Sequence, residues 1–380
     1  MKRRRRRDPL RILLLNWRDL ESPWAGGAEV HIHAIAERLV RAGHDVLLLT
    51  SRFPACEVET TIRGVRVRRH GSWWNANFAL YREAVRELRR QRYDVVVEDV
   101  NKIPFFTPLG QRLPTVVYVP HLFGATVFRE TNPLFATYVW LMERPMRRVY
   151  RRARWIAISE STRDDLVARG IPASRVDVVH CGLDIESYQL ENAPARDPYP
   201  SLVHLGRLMR YKSVDVALRA MAIVLQSQPH ARLRIVGDGP DEGRLRKRVH
   251  ELGIGEAVEF CGYRTHAEKV QLLWRSRVAL NPSPKEGWGL TVVEANACGV
   301  PVVASRAPGL VDSVRHGETG TLVPYGDAAA FAAAALHLLE NDVERQRYAA
   351  RAQAWARTFD WDDAALQTEQ IVRRTVEEGV

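Results

Sequence analysis

The chain has 380 residues, with 56 lysine and arginine residues against 45 aspartate and glutamate residues, which gives a formal net charge of +11. Hydrophobic residues make up 46% and charged residues 27%, so the composition is that of a globular protein, and the length favours two domains. The sequence has no apolar run near the roughly 18 residues that span a bilayer, and its basic start lacks the apolar region of a secretory signal. Four scattered cysteines without a C-x-x-C pair argue against a disulfide framework and a structural zinc site. We expect a cytoplasmic protein.

The excess positive charge belongs to the first half of the chain. Residues 1–190 contain 32 basic and 21 acidic residues, whereas residues 191–380 contain 24 of each. Six of the basic residues form the run Lys2–Arg7. We expect residues 1–9 to form a disordered, solvated arm, which would be drawn to polyanions.

Two internal stretches also combine arginines with aromatic residues, from Arg63 to Phe78 and from Trp140 to Trp155. Such residues suit an anionic membrane surface, where cations meet headgroups and aromatic rings lie at the boundary. Single-stranded nucleic acid uses the same residue types, but the sequence has no helix-turn-helix, RNA-recognition or zinc-finger pattern. The simplest alternative is a helix with an apolar core face and a solvated basic face.

Short buried-strand runs alternate with amphipathic helical stretches along most of the chain. The alternation predicts two doubly wound α/β domains with parallel sheets, joined by a proline-containing linker over residues 191–200. Residues 327–379 are predicted to be helical. Ligands of such folds bind at the carboxyl ends of the strands. The predicted strands are 11–16, 45–50, 94–98, 115–119, 155–159, 176–180, 201–206, 231–237, 257–262, 277–283 and 301–305.

The stretch Pro282–Gly299 is the most informative one. Gly287 and Gly289 precede a helix predicted to begin near Leu290, and the free N–H groups of a helix start favour an anion. Two carboxylates flank this turn, Glu286 before it and Glu294 within the helix. They would repel a diphosphate but suit the hydroxyl groups of a sugar and a ribose. The alternatives are a helix cap for Glu286 and a surface position for Glu294.

A second cluster follows the predicted strand that ends at Gly206. Arg207 and Lys212 are placed to reach a phosphate from this loop, although two solvated loop cations would look the same. The turn IVGDGP, which contains Gly237, lies at the end of another predicted strand, and we expect it to shape the site mainly through the conformation of its backbone.

In the first half, Gly26 and Gly27 lie between the first strand and the first helix, as a second loop that a phosphate can approach. His121 closes a buried strand at the predicted carboxyl edge of the sheet. His31 and His33 are two residues apart on a helix, so they point to different sides and form no metal pair. The sequence contains no convincing metal cluster.

With these motifs in this order, the sequence resembles the family-4 retaining glycosyltransferases, two-domain enzymes of the GT-B fold that use nucleotide-diphosphate sugars. The resemblance covers nearly the whole chain. It implies two Rossmann-like domains facing a central cleft, with the acceptor bound by residues 1–190 and the donor by residues 191–380. A final helix, about residues 361–380, would cross back to pack on the first domain. The matching elements are GGAE, His121, Ala157–Thr162, His180–Asp184, Gly206 with Arg207 and Lys212, GDGP, Glu286 with Glu294, and Phe359–Trp361.

The resemblance also implies roles for the site residues. Arg207 and Lys212 would neutralise the donor diphosphate, Glu286 would bind sugar hydroxyls, and Glu294 would bind the ribose. Backbone N–H groups from Gly287 to Leu290 would help to hold sugar and phosphate.

Other positions carry over with two departures from the family pattern. Gly26 and Gly27 would let the first domain close over the diphosphate, and His121 would contact the sugar near the reacting face. Trp288 stands where the family usually has phenylalanine. Ser213 replaces a common glycine after the lysine, which puts the exact loop geometry in question.

The expected activity is therefore metal-independent, retaining transfer of a hexosyl group to an acceptor hydroxyl, without a cofactor beyond the nucleotide-sugar. Uridine, guanosine and adenosine donors all fit this framework. The acceptor ranges over glycans, small molecules and lipid-linked carriers, including those of cell-envelope glycan synthesis, and we expect peripheral association with the inner face of the plasma membrane. The alternatives are a sugar-nucleotide epimerase or phosphorylase of the same fold, and a basic nucleic-acid-binding protein. The sequence predicts no particular oligomeric state.

Overall fold

The computed structural model describes residues 8–72, 74–101, 103–129, 132–189, 191 and 193–379. Most of the predicted basic arm, residues 1–7, lies outside the described residues. The chain divides into two compact units, which we call unit 1 (residues 1–182 and 361–380) and unit 2 (residues 183–360). The sequence predicts the boundary after residue 190, whereas the structure divides the chain after residue 182.

The described residues of unit 1 form an eight-stranded sheet in the order β3-β4-β2-β1-β5-β6-β7-β8, parallel except for the β3–β4 pair. The strands are β1 (Arg11–Leu15), β2 (Asp45–Thr50), β3 (Glu59–Ile62), β4 (Val65–Arg69), β5 (Val95–Asp99), β6 (Thr115–Val119), β7 (Arg154–Ala157) and β8 (Val176–Val178). The helices are α1 (Gly27–Arg41), α2 (Ala76–Arg90), α3 (Pro133–Glu143), α4 (Met146–Val149) and α5 (Glu160–Ala168), with 3-10 turns at Thr107–Leu109, Gly124–Arg129 and Ala173–Arg175.

The core of unit 1 follows from the apolar runs of its strands. The middle strands β1, β5 and β6 are buried along almost their whole length because helices cover both faces of a parallel sheet. Helix α1 turns Ile32, Ile35 and Leu39 towards this sheet, and each is at most 2% exposed. Their spacing is that of one helical face.

The β3–β4 hairpin is a feature that the sequence analysis missed. Its two-residue turn, Arg63 and Gly64, has positive φ at both positions, as a type I′ turn requires. Arg66 and Arg68 of β4 lie on one face of the sheet, whereas Arg69 lies on the opposite, buried face. Arg69 is 1% exposed and donates to both carboxylate oxygens of Asp19, at 2.7 and 3.0 Å. The prediction of a basic surface over this stretch is wrong for Arg69.

The described residues of unit 2 form a six-stranded, wholly parallel sheet in the order β11-β10-β9-β12-β13-β14. The strands are β9 (Ser201–Leu205), β10 (Arg232–Val236), β11 (Val258–Gly262), β12 (Val278–Asn281), β13 (Val302–Ser305) and β14 (Gly320–Val323). The helices are α6 (Val214–Ser227), α7 (Glu242–Glu251), α8 (His266–Arg275), α9 (Leu290–Ala297), α10 (Leu310–Ser313), α11 (Ala328–Glu340) and α12 (Asp342–Ala356), with 3-10 turns at Ile185–Tyr188, Arg210–Lys212 and Gly255–Ala257.

The predicted linker is held firmly by unit 2. The guanidinium of Arg196 donates to the carbonyls of Trp274, Ser276 and Cys298 at 2.6–2.9 Å. Asp197 is buried and accepts from Arg234 at 2.6 Å. These contacts make residues 193–200 an integral part of unit 2 rather than a free connection.

The last helix, α13 (Trp361–Glu378), returns to unit 1. It packs against α1, where the Trp361 ring lies 5.5 Å from the ring of His31 and Asp362 pairs with Arg38. The predicted fold class is confirmed: two doubly wound parallel-sheet units, with a C-terminal helix that crosses back to the first.

Candidate functional site

The candidate site of unit 2 lies at the carboxyl edge of its sheet, where β9 and β10 end in neighbouring glycine turns. The Gly206 N–H donates to the Val236 carbonyl at 3.0 Å, and the Leu208 N–H to the Asp238 carbonyl at 2.6 Å. A Cβ on Gly237, whose φ is +129°, would lie 2.1 Å from the Gly206 carbonyl oxygen. Glycine at position 237 is therefore required by the chain itself.

Lys212 and Glu286, which the sequence predicted as site residues, are in direct contact. The Lys212 Nζ lies 2.6 and 2.7 Å from the two carboxylate oxygens of Glu286. Burial alone would lower the pKa of Lys212, but the Glu286 carboxylate outweighs it and raises the pKa. This ion pair joins the loop after β9 to the loop after β12.

Arg207 lies on the same loop, and its side chain is exposed. The positive charge of Arg207 acts on Lys212 electrostatically and by itself would lower the pKa of that amine. Lys212 is already matched by one carboxylate, so Arg207 gives this edge a net positive charge. Such an edge attracts anions.

Glu286 is followed by the turn that starts α9. The Glu286 N–H donates to the Pro308 carbonyl at 3.0 Å, and a Cβ on Gly309 would lie 2.3 Å from the Glu286 carbonyl oxygen and 3.0 Å from the Gly287 carbon. Gly289 is the N-cap of α9, with φ +86° and ψ +52°. The glycines let the chain turn sharply, so that the helix start at Leu290 presents free backbone N–H groups.

The Trp288 side chain points away from this turn. Its ring is 2% exposed and stands edge-on to Phe359, with the ring centroids 5.0 Å apart. The sequence proposed Trp288 as a donor-binding residue. The backbone of Trp288 faces the helix start, whereas its ring does not.

Glu294 is buried, at 7% exposure, which excludes the surface position considered from the sequence. Its carboxylate accepts from the Tyr188 hydroxyl and from Lys269 Nζ, both at 2.6 Å. Burial and the neighbouring carboxylate raise the pKa of Tyr188. Glu294 therefore ties α9 to α8 and to the start of unit 2.

Ser213 adopts the conformation for which glycine is the usual residue. Its φ is +52°, and it is the N-cap of α6. Its Oγ lies 3.0 Å from the Tyr325 hydroxyl. The loop keeps the left-handed turn despite the substitution, at a cost of about 1 kcal/mol.

In unit 1, the turn between β1 and α1 contains Gly26 and Gly27. Glu29 is buried, and its carboxylate accepts the Gly26 N–H at 2.7 Å. The position of a Cβ on Gly27 has nothing within 4 Å. Packing within the described chain therefore does not require glycine at 27.

His121 follows β6 at the carboxyl edge of the unit 1 sheet. Its ring stands edge-on to Phe123, with centroids 4.7 Å apart. Two N–H groups further along this loop, those of Phe123 and Gly124, donate to the buried carboxylate of Glu143 at 2.8 and 2.9 Å. A carboxylate that accepts two backbone N–H groups fixes the loop that carries His121.

His31 and His33 face different neighbours, as their spacing predicted. His31 Nδ1 lies 3.4 Å from the Cys181 Sγ, and burial lowers its pKa to about 4. His33 Nε2 lies 3.0 Å from the Ile62 carbonyl. Among the residues that the structure describes, no three His, Cys, Asp or Glu side chains are grouped so as to hold a metal ion.

Two family models match adjoining parts of the chain: Glycosyltransferase Family 4 over residues 25–187, and Glycosyl transferases group 1 over residues 189–355. Together they take in both units and the site elements of each. The chain belongs to the family-4 glycosyltransferases.

Curated relatives agree with this assignment. Glycogen synthase of Mycobacterium tuberculosis (strain H37Rv) is 27% identical, and the match covers 95% of this chain and 94% of the relative. D-inositol 3-phosphate glycosyltransferase of Nocardioides sp. (strain JS614) is 35% identical over 53% of this chain and 49% of its own.

Solved structures share the fold of this glycosyltransferase. Sucrose-phosphate synthase from Thermosynechococcus elongatus superposes with a TM-score of 0.80 at 22% identity, covering 96% of this chain and 98% of that one. HepE of Anabaena, solved in complex with UDP-glucose, gives a TM-score of 0.74 at 23% identity, covering 97% and 100%. These neighbours confirm the predicted GT-B fold.

Sequence analysis of this glycosyltransferase missed several residues around the site. His204, near the end of β9, is 2% exposed, and its Nδ1 lies 3.0 Å from the Leu280 carbonyl. A carbonyl only accepts, so Nδ1 carries the proton. Burial lowers the pKa of His204 to about 4, so the ring stays neutral beneath Lys212 and Glu286. The sequence signal that could have identified His204 is the presence of a polar residue near the end of the mainly apolar strand β9.

The other missed residues are Lys269, which pairs with Glu294, and Glu143, which holds the His121 loop. Both act across long sequence separations. No spacing in the sequence connects Lys269 to Glu294 or Glu143 to His121.

No described helix is long and apolar enough to cross a membrane.

Proposed function

We propose that this glycosyltransferase moves a hexosyl group from a nucleotide-diphosphate sugar to an acceptor hydroxyl, with retention and without a metal ion. The observation that carries the proposal is the Lys212–Glu286 ion pair beside the α9 helix start and the exposed Arg207. This edge offers a phosphate its cations and N–H groups, and offers sugar hydroxyls a carboxylate. That HepE was solved with UDP-glucose supports a nucleotide-sugar donor.

In the proposed reaction, the bond between the sugar C1 and the diphosphate oxygen breaks, and a bond from C1 to the acceptor oxygen forms on the same face. The acceptor proton passes to the departing diphosphate. Arg207 and Lys212 stabilise the charge that develops on the diphosphate, while the Glu286 carboxylate holds the sugar by its hydroxyls. Lys212 and Glu286 each exchange part of their mutual contact for a donor contact.

The remaining site residues have supporting roles in this proposal. Glu294 binds the ribose, and Gly206, Gly237 and Gly287 to Leu290 shape the donor turn. In unit 1, Gly26 and Gly27 admit the diphosphate and His121 contacts the sugar. The open space around the Cβ position of Gly27 favours such an approach.

The test compares Arg207→Ala and Glu286→Gln with Arg210→Ala, an exposed arginine of the same loop. Loss of one preorganised charge contact costs about 100- to 1,000-fold in rate. We expect each site variant to lose that much transfer, measured with the donor that binds best in a calorimetric screen of nucleotide-sugars. Arg210→Ala should retain transfer. Full activity in the Arg207→Ala/Glu286→Gln double variant would overturn the proposal.

Product analysis separates the chemical alternatives. Retention predicts that the anomeric configuration of the donor persists in the product, as read by proton NMR, and that chelators leave the rate unchanged. A free epimerised nucleotide-sugar would indicate an epimerase, and phosphate-dependent cleavage of a glycan a phosphorylase. Salt-sensitive nucleic-acid binding without donor binding would favour the nucleic-acid alternative.

We also propose that the acceptor is presented at an anionic membrane surface, where the enzyme binds peripherally on the cytoplasmic side. Unit 1 exposes large apolar side chains at two neighbouring helices that the Asn77–Tyr138 hydrogen bond connects. They are Trp74 just before α2, Phe78 within α2 and Leu134 on α3, which are 60–86% exposed. Removal of residues 2–7 leaves a formal net charge of +5. If the truncated chain still sediments with anionic vesicles, the internal residues carry the binding. Failure of every form to bind would exclude the membrane.

A further inference from the structure

A cavity of about 250 Å³ lies in unit 1 between α3, α4, α5 and β7, next to the loop that carries His121. Its inner wall is apolar and includes Leu122, Met146, Trp155, Leu166 and Ile171, each at most 5% exposed. This volume is slightly below the usual range for a pocket that encloses a whole small molecule. It suits one apolar segment of a larger ligand.

The rim of this cavity is cationic. Arg144 and Arg147 line it and are exposed, and within the described part of the chain neither pairs with a carboxylate. The Arg144 guanidinium lies over the Trp140 ring, 3.5 Å from the ring centroid, which holds it at the rim. The third arginine, Arg169, is already neutralised.

The wall also contains the carboxylate that fixes the His121 loop. Glu143 lines the cavity, and Arg169 Nη1 donates to it at 3.0 Å, while Arg169 Nε donates to Asp165 at 2.8 Å. The pair leaves Arg144 and Arg147 as the two uncompensated charges of the rim. The cavity is therefore apolar inside, and Arg144 and Arg147 at its edge give a formal net charge of about +1 once Arg169 and its two carboxylates, Glu143 and Asp165, are counted.

We propose that this cavity binds an anionic membrane phospholipid, with an acyl segment against the apolar wall and the phosphate between Arg144 and Arg147. Each part of the site matches one part of this ligand: a free phosphate would leave the apolar wall unused, and a neutral lipid would leave the two arginines unpaired. Helix α3 also carries Leu134 and Leu141, which are 86% and 45% exposed, beside the rim residues Trp140 and Arg144. Apolar side chains beside cations suit insertion at a lipid interface.

The proposal rests on the proposed function only for its consequence, which is that a lipid at this cavity holds unit 1, and with it the His121 loop, at the membrane surface. The binding itself is a property of unit 1. Vesicle binding and nucleotide-sugar binding are therefore measured on the same preparations of the full chain.

The main experiment is flotation with phosphatidylcholine vesicles that contain or lack phosphatidylglycerol. Each cation near an anionic surface changes affinity by about a factor of five, so Arg144→Gln/Arg147→Gln should weaken binding about 30-fold. The matched control is Arg89→Gln/Arg90→Gln, which removes the same charge from the exposed end of α2. We expect it to weaken binding by no more than about threefold, as a screened, distant effect.

A second measurement tests the apolar wall. Phosphatidylglycerol with brominated chains should quench part of the tryptophan fluorescence. The decrease in quenching in the Trp140→Phe variant measures how much of it comes from Trp140 at the rim. Met146→Phe narrows the cavity without changing charge and should reduce this quenching at least twofold, while thermal unfolding checks that the chain is folded.

Three results would overturn the proposal: equal weakening by both arginine pairs, absence of binding to anionic vesicles, or displacement of the lipid by millimolar inorganic phosphate. The first assigns binding to overall charge, and the last to a simple anion site. Nucleotide-sugar binding without vesicle binding would sink this proposal and leave the proposed function standing. Vesicle binding without nucleotide-sugar binding would do the reverse.

Discussion

Both units end their sheets in glycine turns, but the two turns need glycine for different reasons. In unit 2, a Cβ on Gly237 would collide with the Gly206 carbonyl oxygen, so packing of the chain demands glycine. In unit 1, a Cβ on Gly27 would meet nothing within 4 Å. The same difference extends to the acidic residues. Unit 2 holds Glu294 in a buried ion pair, whereas unit 1 uses Glu29 to accept a backbone N–H. Glu286 and Glu294 at the edge of unit 2 pair with lysines from other elements, whereas Glu29 and Glu143 at the edge of unit 1 accept backbone N–H groups of its loops.

The largest expected effect separates the two carboxylates. Glu294→Gln leaves Lys269 without its charge partner in a buried setting, so the free energy of unfolding should fall by about 4 kcal/mol. Glu29→Gln keeps an oxygen that accepts the Gly26 N–H and should cost no more than about 1 kcal/mol. Urea unfolding followed by circular dichroism measures both. Equal losses would contradict the contrast between the units.

The glycines give the next largest effect. Gly237→Ala combines a steric clash with an unfavourable φ and should lower the free energy of unfolding by about 3 kcal/mol. Gly27→Ala should change it by less than about 0.5 kcal/mol, because the methyl group meets no atom of the chain. Under the proposed function, Gly27→Ala should still reduce sugar transfer, because the added methyl group takes up open space at the turn that is proposed to admit the diphosphate. If Gly27→Ala retained full transfer, the turn of unit 1 would have no donor role.

Each unit contains a histidine whose pKa burial lowers to about 4, His31 in unit 1 and His204 in unit 2, so acid should weaken both units. Burial lowers the pKa of His31 and of His204 to about 4, from 6.5 in an unfolded chain. Their contribution to stability is complete above pH 6.5 and is lost as the pH falls towards 4, by about 1.4 kcal/mol per pH unit for each histidine. At pH 5, each of these two histidines should therefore have lowered the free energy of unfolding by about 2 kcal/mol.

Unfolding at several pH values measures the slope, with His31→Asn and His204→Asn as comparisons. Each substitution should remove its own share of the slope whatever it does to stability at neutral pH. A slope that neither variant alters would show that other groups dominate the acid response.

The smallest effect concerns two residues with unfavourable positive φ, one chosen from each unit. Ser213 in unit 2 and Arg63 in unit 1 have φ of +52° and +48°. Ser213→Gly and Arg63→Asn should each raise the free energy of unfolding by about 0.5–1 kcal/mol, because the new residues tolerate this region. Thermal unfolding measures the gain. Ser213→Ala is the control, since it keeps the unfavourable φ and loses the Tyr325 contact.

These contrasts also explain what the sequence could predict. Strands such as β2 and β6 were predicted to the residue, because a parallel strand buried on both faces is a short continuous apolar run. The β3–β4 hairpin was missed because three of the five residues of β4 are arginines and its turn is Arg-Gly instead of Asn-Gly. The candidate cations and carboxylates follow from motifs at strand ends.

Their partners do not follow from motifs. Lys269 reaches Glu294, and Glu143 reaches the His121 loop, only because the folded chain brings separate elements together. A charged residue in a sequence carries no sign of whether it will be solvated, as Arg144 is, or buried, as Arg69 is. That distinction depends on tertiary packing.

The return of α13 to unit 1 has a consequence for the order in which the protein is made. Unit 2 is continuous in sequence, and all of its residues have been synthesised once Asp360 has been added. Unit 1 begins synthesis first but waits for the last residues of the chain, since Trp361 covers His31 and Thr368 meets Tyr118. Until α13 has been synthesised, the surface of unit 1 that it covers, including His31 and Tyr118, therefore stays exposed. The second unit to be synthesised is the first that can finish folding.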